Sequence, residues 1–97
     1  MPRRRLWRWR DSYADNQQIL RIVIFMNYND HFPAHFHARY QDQEVTVEIA
    51  SGLVQGRMAR RELRMILEWS EKHQEELLNN WQLARGRRPL QRIAPLE

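Results

Sequence analysis

Three of the chain's four histidines fall within "HFPAHFHARY" at residues 31–40, and two chemistries use imidazoles at that spacing. On a strand, His35 and His37 project from one face, with His31 in the turn before them. Two imidazoles on one face suit a metal ion of the Zn²⁺ class, which needs three or four protein ligands; His31, Glu48 or Asp30 could supply the third. The same pair suits proton transfer, because histidine titrates near neutrality and a carboxylate across the strand can hold its tautomer. Cleavage of RNA by side chains alone needs a base for the 2′-hydroxyl, an acid for the leaving oxygen and a cation for the charge that develops. His35, His37, Glu48 and Arg39 have that composition and form the candidate catalytic set, which requires no metal and no other cofactor. A solvated histidine face that does no chemistry is the plainer alternative.

The elements that must position these residues are read from hydropathy periods. The run "ILRIVIFMNY" at 19–28 is apolar and β-branched, and Asn29-Asp30 follows as a turn, so a buried central strand is expected. Phe36, Ala38 and Tyr40 then alternate with His35, His37 and Arg39, giving a half-buried strand with the histidines and the arginine on its wet face. Val45, Val47 and Ile49 alternate with Glu44, Thr46 and Glu48 in a third strand of the same kind. An antiparallel pairing with Asp42-Gln43 as the turn sets Tyr40 against Val45, Ala38 against Val47 and Phe36 against Ile49. Its polar face pairs His37 with Glu48 and Arg39 with Thr46.

After "SGLVQGRM", Leu63, Ile66, Leu67, Ser70, Leu77, Leu78, Trp81 and Ala84 recur at helical spacing. One straight helix from 59 to 85 would be about 40 Å long, too long for this domain, so a kink or break is expected near 71–74. Gly86 should stop the helix, and "RRPLQRIAPL" should run extended with Leu90, Ile93 and Leu96 touching the domain. The expected fold is α+β: a small antiparallel three-stranded sheet packed against a long, kinked or broken C-terminal helical segment.

The 97 residues make one domain, read here as 19–97, preceded by a basic arm at 1–18. There is no cysteine, which removes disulfides and thiolate metal sites and fits a reducing compartment. No apolar run approaches the roughly 18 residues of a membrane span, and "MPRRRLWRWR" lacks the apolar middle of a secretory signal, so a cytoplasmic protein with no membrane partner is expected. The formal charge is +4 with a pI near 10.3, and every basic residue except Lys72 is arginine, whose planar fork suits phosphate.

Nucleic acid is therefore the expected partner. In the arm, Arg3, Arg4, Arg5, Arg8 and Arg10 surround Trp7 and Trp9, a pattern that can follow a phosphate backbone and stack on bases. Arg57, Arg60, Arg61 and Arg64 crowd the start of the helical segment, where the macrodipole favours acidic residues and free N–H groups favour an anion. Packing of Leu6, Trp7 and Trp9 on the domain, and ion pairing of the helix arginines with Glu62 and Glu68, are the structural alternatives. His73, near Glu75 and Glu76, reads as a helix-junction or surface residue.

The stretch "NYNDHFPAHFHARY", with Glu68-Trp69, Glu76-Leu77, Asn80-Trp81 and the tail from Pro89-Leu90 to Pro95-Leu96, resembles the bacterial domain of unknown function 4160 family from about Arg21 onward. The family pattern carries two prolines before the first strand histidine; here Ala34 stands in place of the second. The resemblance implies a small cytoplasmic protein associated with toxin–antitoxin-like gene pairs, and it assigns no activity. With the charge and the histidine face, the expectation becomes a nucleic-acid-binding component of such a system that cleaves RNA through His35 and His37. The alternative is a non-catalytic interaction module, docking a small cognate protein on the histidine face.

Overall fold

The computed structural model describes residues 22–28 and 30–94 in full and the backbone of residues 4–8. Four antiparallel strands run between residues 22 and 56: β2 (Ile22–Asn27), β3 (His35–Tyr40), β4 (Gln43–Glu48) and β5 (Val54–Gly56). A further strand, β1 (Arg4–Arg8), pairs with β2 at the edge, with Leu6 opposite Phe25, and the order is β1-β2-β3-β4-β5. Two helices follow, α1 (Arg60–Lys72) and α2 (Gln74–Arg85).

The α+β class stands, but the three-stranded sheet and the long, kinked or broken helical segment expected above give way to a larger sheet and two short helices. The strand β5 lies inside "SGLVQGRM", where three residues are too few to show a period of two. Its end is forced by geometry: Gly56 adopts φ +105, and a Cβ there would lie 2.6 Å from the Glu44 carbonyl oxygen of β4. The helical segment is two helices of 13 and 12 residues that meet at His73, inside the 71–74 stretch where length alone called for a break. At that junction the His73 N–H is shared between the Trp69 and Ser70 carbonyls, and φ −116, ψ 29 takes the residue out of the helix.

The core lies between one sheet face and the helices. Ile22, Ile24 and Met26 of β2, Phe36 and Ala38 of β3, and Val45 and Val47 of β4 are buried with Ile66 and Trp69 of α1 and Leu77, Trp81 and Ala84 of α2. Phe36 meets Trp69 edge to face, with centroids 5.9 Å apart. Leu78, expected on the buried stripe, is exposed. The tail packs as expected through Ile93 and Leu90, while Leu96 lies outside the described residues. It is fastened by polar bonds: Trp69 Nε1 donates to Ala94 O at 2.8 Å, and the Asn80 amide both donates to and accepts from the Gln91 backbone.

The register of β3 on β4 differs from the expected one by two residues. Tyr40 faces Gln43, Ala38 faces Val45, Phe36 faces Val47 and His35 faces Glu48. The turn is Gln41-Asp42, with Gln41 in the left-handed region at φ 57. A bond from Ile49 N to Ala34 O holds the same register at the far end. A shift of two keeps every side chain on its face, so the apolar pattern is satisfied equally by both pairings, and the turn backbone makes the choice.

Candidate functional site

The face of β3 that carries His35 and His37 was expected to be wet, and it is largely closed. His35 is 6% exposed, and Phe25 of the neighbouring strand is fully buried beside His37. The Phe25 and His37 rings stack at 4.8 Å between centroids, 8° from parallel. Trp81 of α2 lies 5.0 Å from the His35 ring. Strand β2 is apolar on both faces, and this second apolar face is what shields the histidines.

The two imidazoles converge on Asp30, in the loop between β2 and β3. His35 Nε2 lies 2.9 Å from Asp30 Oδ2, and His37 Nε2 lies 3.5 Å from the same oxygen. Behind His35, Nδ1 is 2.7 Å from Pro33 O. A carbonyl only accepts, so Nδ1 carries a hydrogen, and the bond from Nε2 to the carboxylate requires a second one. Asp30 and His35 therefore share a proton. Asp30 Oδ1 accepts from the His31 N–H at 2.9 Å. Its backbone oxygen accepts from Arg85 of α2 at 2.8 Å.

Electrostatics lower two of the three groups. Burial alone would raise the Asp30 carboxyl, but the His31 N–H and the His35 charge outweigh it and hold the group below its ordinary 3.8. Burial is the largest influence on His37 and, aided by His35, lowers it from 6.5 against the opposing pull of Asp30 and Glu44. His37 Nδ1 lies 3.5 Å from Glu44 Oε2 but outside hydrogen-bond geometry, and it is buried without a hydrogen-bond partner.

A pocket of about 370 Å³ opens on this group, lined by Asn27, His31, Thr46, Glu48, Leu53 and Gln55 together with Asp30, Pro33, His35 and His37. Of the candidate catalytic set, His35, His37 and Glu48 line it and Arg39 does not. Glu48 faces His35 in register, not His37, and it accepts a hydrogen bond from Ser51. The expected pairing of His37 with Glu48 is thus replaced by Thr46 across the strand, and Glu44 faces Arg39. Arg39 reaches Glu44 at 3.4 Å and lies over the Phe25 ring at 5.3 Å.

Arg57, Arg60, Arg61 and Arg64 are exposed around the start of α1 and are not brought to the pocket. Arg4, Arg5, Trp7 and Arg8 fall within β1, where the backbone alone is described, and Arg3, Trp9 and Arg10 lie outside the described residues. The sequence had offered Asp30 only as one possible third metal ligand and had left Asn27, Glu44 and Phe25 without a role. The position of Asp30, five residues before His35 across a proline turn, was the available signal. Asp30, His35 and His37 are also the described group whose donor atoms, all within 4.8 Å of one another, could hold a metal.

Fold and site together define a small α+β protein with an aspartate and two histidines gathered on the sheet face opposite Phe36 and Ala38, beside the end of α2. The family model described as Domain of unknown function (DUF4160) matches residues 21–82, and the chain belongs to that family. Neither a curated protein nor a solved structure gives a significant match. No helix among the described residues is long and apolar enough to cross a membrane.

Proposed function

We propose that the protein is a cytoplasmic, nucleic-acid-binding component of a bacterial toxin–antitoxin-like or defence system, and that it cleaves RNA at the pocket of Asp30, His35 and His37. The observation that carries this reading is the convergence of two imidazoles, one sharing a proton with a carboxylate and the other biased toward its neutral form, on one pocket wall. Environments that separate two titratable groups in this way divide the acid from the base. His37 takes the proton of the 2′-hydroxyl as its oxygen attacks phosphorus. The bond from phosphorus to the 5′-oxygen breaks, His35 protonates that oxygen, and a 2′,3′-cyclic phosphate and a 5′-hydroxyl result. With Arg39 outside the pocket, the Asn27 amide and the Thr46 hydroxyl are the neutral donors beside the developing charge. The surplus of arginine supplies affinity for the phosphate backbone.

The test is cleavage of labelled RNA by the full-length chain, with identification of the cyclic phosphate. His35→Gln and His37→Ala should each lower the rate by roughly 10²-fold or more while the fold is kept. Cleavage that survives both changes would sink the assignment. A second reading, a non-catalytic module that docks a small protein, is favoured by Leu53 and Phe32, which are 62% and 60% exposed beside the histidine residues. A wild-type chain without RNase activity, whose binding of a cognate small protein is lost in Leu53→Asp, would put that reading ahead.

A further inference from the structure

We propose that Asp30, His35 and His37 form a binding site for a divalent transition metal ion of the Zn²⁺ class, with Asp30 Oδ2 and the two Nε2 atoms as ligands. Two imidazole nitrogens and one carboxylate oxygen are a donor set suited to Zn²⁺ and its neighbours. The spacing fits as well. Donors at the usual bond length from a tetrahedral Zn²⁺ stand about 3.3 Å apart. Here the carboxylate oxygen lies 2.9 Å from one nitrogen and 3.5 Å from the other, and the two nitrogens lie within 4.8 Å of each other, so the carboxylate side of the site is already at the required spacing.

What separates this group from a chance cluster is the second ring of contacts. The Pro33 carbonyl takes the Nδ1 hydrogen of His35, so in the neutral ring the lone pair is on Nε2 and faces the carboxylate. Two such acceptors at 2.9 Å need either the shared proton or a metal ion between them. For His37 the nearest outer group is Glu44, 3.5 Å from a buried Nδ1 that has no hydrogen-bond partner; a hydrogen on Nδ1 facing Glu44 puts the lone pair on Nε2, where the ion would displace the Asn27 amide 3.5 Å away. The His31 N–H holds the other oxygen of Asp30. His35 and Asp30 thus each have an outer hydrogen bond that turns the correct atom inward, and Glu44 stands beside His37 as an outer charge, the kind of surroundings that tune metal-binding histidines and carboxylates. Phe25 under His37 and Trp81 beside His35 keep both rings in place. The pocket leaves one side for water or for His31, whose Nδ1 is 3.0 Å from Asp30 Oδ1.

The ion and the shared proton compete for the same donor atoms. A metal-loaded chain therefore has neither the acid nor the base of the RNA-cleavage reading, and metal occupancy would switch that chemistry off. Binding is measured without RNA, so either idea can fail while the other survives.

The experiment is calorimetric titration of ZnCl₂ into the full-length chain after chelator treatment, with the visible spectrum of the Co²⁺ form as a second readout. One ion per chain is expected. Asp30→Asn and His37→Ala should weaken binding by about 100-fold or more, and Glu44→Gln by roughly 10- to 100-fold through loss of the outer contact. His73→Ala should leave binding unchanged, because His73 is engaged with Glu76 at the helix junction. No saturable binding up to about 100 μM Zn²⁺, a far weaker affinity than a built site gives, would overturn the proposal. So would stoichiometric binding that survives both ligand changes. If the variants fail to fold, the wild-type Co²⁺ spectrum decides: bands of four-coordinate nitrogen and oxygen ligation support the site, and the spectrum of six-coordinate hydrated Co²⁺ overturns it.

Discussion

Strand β3 sends alternate residues to two faces that are both shielded from water by different means. Phe36 and Ala38 go to the helix side and His35 and His37 to the pocket side, with Phe36 and Ala38 at 0% exposure and His35 at 6%. On the helix side the cover is apolar, and any side chain of the right shape contributes in proportion to its area. On the pocket side, burial is tolerable only where a polar atom finds a partner, so position matters more than area. Asp30 and Pro33 are those partners for His35, and Glu44 stands 3.5 Å from the His37 Nδ1 that has no hydrogen bond. The same strand, at similar depth, thus builds stability on one face and a reactive arrangement on the other.

The largest effect expected from separating the faces is on the helix side. Phe36→Ala should cost roughly 3–5 kcal/mol in urea unfolding, because it leaves a cavity against Trp69. On the pocket side, His35→Ala should cost less, about 2 kcal/mol, chiefly by leaving the Asp30 carboxylate without the hydrogen it shares. Equal losses at the two positions would erase the distinction and make the histidine face ordinary core.

The smallest effect is the dependence on pH. His37 and Asp30 are both lowered in the folded chain, so the unfolded chain holds more protons as pH falls below their ordinary values. Stability from His37 is present above about 6.5 and is lost below it; that from Asp30 is lost below about 3.8. The melting temperature should therefore fall between pH 7 and pH 5, and less steeply in His37→Gln. An equal slope in the variant would show that another group carries the dependence.

The alternation of Phe36, Ala38 and Tyr40 with the histidines was enough to place β3 and to put His35 and His37 on one face. Val45 and Val47 did the same for β4. Parity is all that such a pattern encodes, which is why the pairing came out two residues away: Gln41 had to adopt a left-handed backbone that no side-chain pattern announces. The histidines were legible as a pair, but their partners were not. Asp30 reaches them from a loop, and Glu44 comes from a register the apolar pattern left undecided. The burial of the pocket face was hidden too, because Phe25 sits in a run apolar at every position and gives no sign of which face it serves.

Arg85 closes the last turn of α2, and its guanidinium does two things at once: it bonds the Asp30 carbonyl at 2.8 Å and lies over the Phe32 ring at 4.4 Å. Those two anchors straddle the loop that carries the carboxylate, fifty-five residues away along the chain. The arginine acts as a guy-line from the helical layer, passing the edge of the sheet to hold the loop under the pocket. A load on the last turn of α2 therefore reaches the Asp30 loop through one side chain, alongside the broader route through the core that α2 shares with the strands.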